Sequence, residues 1–172
     1  MALTVENGTG LANADSYYTL SAARAAAISL GISLPSDDSV AEAAMRNGFR
    51  YVNGFESSFS GYRLTSTQSG SFPRVESYRC YGRNQIDIAE DEIPADMKTA
   101  QMMAAVEYGK GTEIMPVNNG LSISSNEVVG AVKQSYFDNG KTGKTIEITQ
   151  AVDAMASLMC IGGGFTMRTN RV

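Results

Sequence analysis

Among the 172 residues there is no histidine and no tryptophan, and cysteine occurs twice. Without histidine the chain lacks the usual general base, the commonest metal ligand and every Ser-His or Cys-His nucleophile pair, so most of enzymology is set aside. Cys80 and Cys160 lie far apart, with no second ligand at metal-binding spacing. Two free thiols in a reducing compartment is the simplest account, and a disulfide is the alternative. No apolar run reaches membrane-spanning length, and the N-terminal MALTVENGTG has neither the basic segment nor the apolar stretch of an export signal. A soluble, unexported protein is expected, with no membrane partner. The net charge of −4 gives no global attraction to a polyanion, so any nucleic-acid contact has to come from a local patch. Neither a second domain nor an internal repeat is needed at this length.

What is present is first a set of helical patterns. In NADSYYTLSAARAAAISLG an alanine-rich run follows Asn13 or Asp15 as cap and stops at Gly31, which predicts a helix near 15–30 with Tyr17, Leu20, Ala27 and Ile28 on one face. Ser39 and Glu42 have capping-box spacing at the head of a second helix near 38–53. Its inward stripe is Val40, Ala41, Ala44, Met45, Gly48, Phe49 and Val52, with Gly48 marking close helix packing. A third is expected near 94–109, started by Pro94 and Asp96 and ended by Gly109 or Gly111. A fourth is expected near 147–161. Between the third and fourth, LSISSNEVVGAVKQSYF has β-rich runs around a turn, which predicts a hairpin within 121–137.

From 55 to 92 the periodicity disappears and Gly, Ser, Arg and Tyr dominate, so a long loop excursion with at most short strands is expected there. The fold class read from these patterns is mainly α: a small helical bundle with a β-hairpin, in one domain over 1–161. GGGFTMRTNRV then forms a flexible C-terminal arm over 162–172, with Phe165, Met167, Arg168 and Arg171 set up for docking onto a partner.

Three stretches invite a chemical reading. SFPRVESYRCYGRNQ interleaves Arg74, Arg79 and Arg83 with Phe72, Tyr78 and Tyr81, a composition suited to single-stranded nucleic acid, whose phosphates meet guanidinium groups while bases stack on rings. The same residues suit a loop folded back on its own domain, its arginines paired with carboxylates such as Asp87, Glu90, Asp91 and Glu92 just downstream. DNGKTGKT, residues 138–145, approaches a phosphate-binding loop with Lys144 as its lysine. It has Asp138 where the pattern needs glycine, which favours a surface turn over a nucleotide-dependent enzyme. The acidic cluster lacks the ligand spacing of a calcium loop and reads as a solvated helix entry. Cys80 sits beside Arg79 but has no base in view. No catalytic residue, cofactor or metal is assigned.

Taken in order, MALTVENGTGLANADSYYTL, FPR at 72–74, IPADMKTAQMMAAVEY at 93–108 and SSNEVVGAVKQSYF at 124–137 resemble the tailed-phage head–tail connector (adaptor) proteins, which also carry the label of DnaT-like single-stranded DNA-binding proteins. This chain departs from the family in having Phe72 where a tryptophan is usual, a longer segment between Val75 and Glu92, and GKTGK where prolines are expected. The resemblance implies a small helical bundle with a β-hairpin, assembled as a homo-oligomeric ring, usually a dodecamer, and no enzyme activity. The ring would lie at the head–tail interface of the virion, built from protein made in the host cytoplasm. It would meet the portal protein on one side and a tail protein on the other, with DNA passing through without sequence-specific contact. On that basis Phe165, Met167, Arg168 and Arg171 are expected to bind the portal, and Phe72, Arg74, Tyr78, Arg79, Tyr81 and Arg83 to form a subunit or tail interface. The alternative is a single-stranded DNA-binding replication protein with the Arg/Tyr stretch as its platform.

Overall fold

A computed structural model describes residues 2–81, 84–112 and 148–159, together with the backbone of 125–128 and 132–135. The chain opens with an extended segment that turns back on itself, with Glu6 N–H donating to Ser16 O at 2.9 Å. The Glu6 side chain is buried inside this turn. Its carboxylate accepts from the amides of Asn7, Gly8, Gly10 and Leu11 at 2.7–3.1 Å, so a charge that burial would otherwise penalise is fully bonded. Gly8 and Gly10 have φ of 96° and 75°. A Cβ on Gly8 would come within 2.2 Å of Asp91 O, which makes glycine the residue that fits there.

Helix α1 is Leu20–Ser29, with Thr19 as the cap accepting from Ala22 N–H. It starts later than its alanine-rich pattern predicts because Asp15 is otherwise engaged. That carboxylate accepts from Thr4 N–H and from Arg46 Nε, both at 2.7 Å, and Tyr17 N–H is committed to Gln101. Only Ala23 and Ala27 are buried along α1, and Ile28, expected to face inward, is 73% exposed. Helix α2, Asp38–Asn53, is capped by Asp37 rather than Ser39 and buries Ala41, Ala44, Met45, Gly48, Phe49 and Val52. Val40 stays exposed. Helix α3 is Ala95–Gly109, preceded by Pro94. Helix α4, Thr149–Ala154, is much shorter than the span expected from 147, and turns carry the chain on to bury Met155 and Leu158.

The expected mainly α bundle is corrected to a mixed α and β fold, because the short strands of segment 55–92 pair with one another. This segment contains the antiparallel pair β1 (Tyr62–Arg63) and β2 (Arg74–Val75), and the antiparallel hairpin β3 (Tyr78–Tyr81) with β4 (Asn84–Asp87). These strands gave no alternating signal because they are two to four residues long and β4 is exposed on both faces, so no buried side imposes a period of two. A third antiparallel pair, β5 (Ser125–Val128) and β6 (Val132–Ser135), lies inside the expected hairpin region.

Helices α2 and α3 form the spine, and two apolar clusters flank it. One gathers Ala23, Ala27 and Leu34 onto Met45, Met102 and Val106. The other packs Tyr17, Phe49, Phe59 and Phe72 with Met97, Met155 and Leu158. Gly48 sets the helix spacing: a Cβ there would lie 2.5 Å from Gln101 O and 3.1 Å from Ala105 N. Across this interface the Gln101 carboxamide accepts from Tyr17 N–H at 2.8 Å and donates to Ser16 Oγ at 2.9 Å and Met45 O at 3.0 Å.

Two substitutions test this spine by thermal or denaturant unfolding. Gly48→Ala gains about 1 kcal/mol of helix propensity but overpacks against backbone at about 1–3 kcal/mol, and a net loss of stability is expected. Gln101→Leu keeps the size and removes all three bonds, leaving Tyr17 N–H without its acceptor while Ser16 Oγ keeps Tyr18, a loss of roughly 1–3 kcal/mol. A neutral result for Gln101→Leu would contradict the bonding described.

Candidate functional site

The Arg/Tyr stretch is where the sequence concentrates its chemistry, and the structure distributes its members among different tasks. Phe72 is 1% exposed. Its ring packs on Phe59 with centroids 5.5 Å apart, and its N–H donates to Tyr17 Oη. Burial raises the Tyr17 phenol well above its ordinary pKa, against hydrogen bonds that lower it, so the hydroxyl stays protonated and donates to Asn53 Oδ1.

Arg74 is 5% exposed. Its guanidinium donates to Ser60 O at 2.7 Å, Gly61 O at 2.6 Å and Ser71 O at 3.2 Å, with Glu56 at 3.5 Å. Burial pushes its pKa below the usual guanidinium value, partly offset by Glu56. Arg63, which sequence reasoning did not single out, makes the stronger pair: its fork meets both Glu56 oxygens at 2.5 and 2.6 Å and also reaches Gln68 O. The Arg63 bonds are the largest influence holding the Glu56 carboxyl below its ordinary range. Gln68, also buried, ties Thr65 N–H, Gly70 O and Pro73 O together. These side-chain-to-backbone bonds are what fold segment 55–75.

Arg79, mostly buried, pairs with Glu92 at 2.9 Å and Asp96 at 3.4 Å, linking β3 to the start of α3. Tyr78 is half-buried, its N–H donating to Ser60 Oγ at 2.9 Å, whereas Tyr81 is 53% exposed. Of the six residues expected to make a subunit or tail interface, Phe72 and Arg74 are therefore inside the domain, and neither presents surface to a partner. Arg83 lies outside the described residues, as do Phe165, Met167, Arg168, Arg171 and the 138–145 turn.

Cys80 is disulfide-bonded, which corrects the expectation of two free thiols, and Cys160 is the chain's other cysteine. The Cys80 N–H donates to Ser157 O at 2.7 Å, so β3 runs beside the C-terminal segment just ahead of Cys160 in sequence. The acidic stretch splits: Glu92 takes part in the Arg79 pair, while Asp87, Glu90 and Asp91 face solvent. Among the described residues no group of histidine, cysteine and carboxylate side chains is arranged to hold a metal ion.

The arrangement is that of a small mixed α/β domain in which Arg63, Arg74 and Arg79 are bonded to acceptors of their own domain. A family model described as "Putative DnaT-like ssDNA binding protein" matches residues 1–172, and the chain belongs to that family. No curated protein and no solved structure matches it. No helix among the described residues is long and apolar enough to cross a membrane.

Two measurements separate folding from surface roles here. Arg74→Ala is expected to lose about 2–4 kcal/mol as several carbonyls lose their donor, with Arg74→Lys a poor rescue because an ammonium cannot reproduce the fork. Tyr81→Ser should stay within about 0.5 kcal/mol of wild type. For Glu56, a pKa lowered on folding contributes stability that is present above the unfolded carboxylate value, near ~4.3, and lost as pH falls through the folded value. Glu56→Gln is expected to lower stability at neutral pH and to flatten the acid limb of the stability curve.

Proposed function

We propose that the chain is a structural virion subunit, a head-to-tail adaptor that assembles as a ring between portal and tail and continues the DNA channel. The observation that carries this reading over its rival is the commitment of Arg63, Arg74 and Arg79 to acceptors within the domain, with Phe72 in the core. A single-stranded DNA platform needs cations and ring faces offered together to solvent. The described residues instead expose scattered apolar side chains, Ile28, Leu30, Tyr62, Tyr81 and Ile86. Such surfaces suit protein contacts better than phosphate contacts. The motif order that resembles head–tail connectors supports the same reading, and the work proposed is assembly rather than catalysis.

The family description favours a second reading, single-stranded DNA binding. Sizing the protein alone and with its phage's portal ring, alongside titration of a fluorescent single-stranded oligonucleotide at low and moderate salt, separates the two. The adaptor reading expects ring formation or co-migration with the portal and no salt-sensitive oligonucleotide binding. Tight binding that weakens steeply with salt, as counterion release requires, with no portal association, would establish the rival.

The adaptor reading gives the C-terminal arm the portal contact through Phe165, Met167, Arg168 and Arg171. Deleting residues 164–172 is expected to leave the domain folded and to abolish portal attachment. Full occupancy of portals by the truncated protein would refute that assignment.

A further inference from the structure

Two stretches of chain far apart in sequence meet at the N-terminal end of α3. Strand β3 reaches it through Arg79, whose guanidinium lies 3.4 Å from Asp96 Oδ2 and 2.9 Å from Glu92. The segment after α4 reaches the same carboxylate oxygen, because Ser157 Oγ donates to Asp96 Oδ2 at 2.7 Å. The two stretches also touch directly where Cys80 N–H donates to Ser157 O at 2.7 Å. Behind this junction Met155 and Leu158 are buried in the core, and Met159 forms an antiparallel bridge with Phe59.

The β3–β4 hairpin takes its position from this point. Strand β4 is exposed along its whole length, so the hairpin is anchored through β3. Three consecutive residues supply anchors: Tyr78 N–H to Ser60 Oγ, Arg79 to the start of α3, and Cys80 N–H to the C-terminal segment. Cys80 is also disulfide-bonded. Cys160, the chain's other cysteine, comes directly after Met159 in sequence and lies outside the described residues. Contacts that hold Cys80 against Ser157, a few residues before Cys160, raise the effective concentration of one thiol at the other and so favour a bond between them.

We propose that a Cys80–Cys160 disulfide is a redox-sensitive latch on this junction. Closed, it locks the C-terminal segment to β3. Opened, it leaves the two stretches joined by the shared Asp96 carboxylate and by backbone hydrogen bonding, contacts that part by local opening far more readily than a covalent bond. Cys80 is only half-buried, and a disulfide at such a position is open to exchange with a small thiol of the glutathione class. One thiolate attacks a sulfur of the protein disulfide, forms a mixed disulfide and releases one cysteine thiolate. A second thiolate attacks the small-molecule sulfur of the mixed disulfide, forms the small-molecule disulfide and releases the other cysteine. The two cysteine thiolates take up the two protons that the small thiols gave up, and two electrons pass to the protein. Closing is the reverse, with the small-molecule disulfide as oxidant. The latch is defined within one chain, so it goes beyond the adaptor reading and does not depend on it.

The test equilibrates the full chain in buffers of reduced and oxidised glutathione, counts thiols by alkylation and mass spectrometry, and maps cross-linked peptides after proteolysis. In oxidised buffer a monomer without alkylated thiols and a peptide joining Cys80 to Cys160 are expected. Two free thiols there, or a bond between two copies of the chain, overturns the proposal. Reduced protein is expected to keep its native near-UV circular dichroism while hydrogen exchange at the Cys80 amide, whose acceptor is Ser157 O, speeds about tenfold or more. Unchanged exchange at Cys80 means a bond that latches nothing. Loss of the native signal on reduction means a staple for the whole domain, not a switch, and overturns the latch equally.

Two variants complete the test. Cys160→Ser is expected to match reduced wild type in exchange at Cys80 and to ignore the buffer; should it fail to fold, reduced wild type supplies the same open state. Ser157→Ala removes the hydroxyl bond to Asp96 and keeps both cysteines. It is expected to lower the effective concentration of the thiols about tenfold, the worth of one hydrogen bond to a charged acceptor, which moves the redox midpoint by about 30 mV towards more oxidising buffer. A midpoint that does not move overturns the coupling of the junction to the bond. None of these readouts needs a ring or a portal, so failure of the latch leaves the adaptor reading untouched, and the converse holds.

Discussion

The carboxamide of Gln101 is the constraint on which the rest of the domain depends. It is fully buried and ties α3 to two other segments at once, the N-terminal segment through Tyr17 N–H and Ser16 Oγ and α2 through Met45 O. A buried amide is tolerable only with its donors and acceptors matched, so this side chain fixes the N-terminal segment to the helix pair in one register. Tyr17 extends the constraint, its hydroxyl lying between Asn53 and Phe72 N–H. Tyr51 carries it to the C-terminal side by accepting from Ile148 N–H. Among the described residues no buried side-chain polar atom is left without a partner. Apolar clusters supply the bulk of the stabilisation, but they are non-directional; this polar set decides which arrangement they stabilise.

How much of this was legible in the sequence depended on where the stabilising contacts are made. Helix α2 was readable almost to the residue because it repeats its apolar positions at helical spacing, and α3 because Pro94 and Gly109 bracket it. Gly48 was readable as a contact point because a glycine inside such a stripe has few other reasons to be there. The start of α1 was misplaced because Asp15, a good cap in isolation, forms an ion pair with Arg46 across the fold, and no local pattern reports a partner that distant in sequence. Segment 55–92 was readable only as an excursion with at most short strands because its order comes from Gln68, Ser60, Arg63 and Arg74 bonding to backbone, which leaves no periodic trace. The signal that existed was compositional: an arginine-rich loop alongside Glu56 can be consumed internally.

The same stretch shows why composition alone misassigns surfaces. Interleaved arginine and aromatic residues describe a nucleic-acid platform and an internally cross-braced loop equally well, and burial separates them. Arg74 at 5% exposure and Tyr81 at 53% are near neighbours in sequence with opposite destinations. The exposure of Ile28 was invisible for the converse reason, since an amphipathic reading of α1 assigned that residue to the core.

The turn around Glu6 bears on phosphate recognition. Consecutive amides curled about a carboxylate form the kind of concavity that elsewhere cradles phosphate oxygens, and here Glu6 fills it with an anion from its own chain. A soluble phosphate would have to displace a competitor tethered beside the amides it seeks, an intramolecular rival favoured by its high effective concentration. The turn has thus closed an oxyanion cradle from within, which leaves an incoming phosphate nothing there to grip.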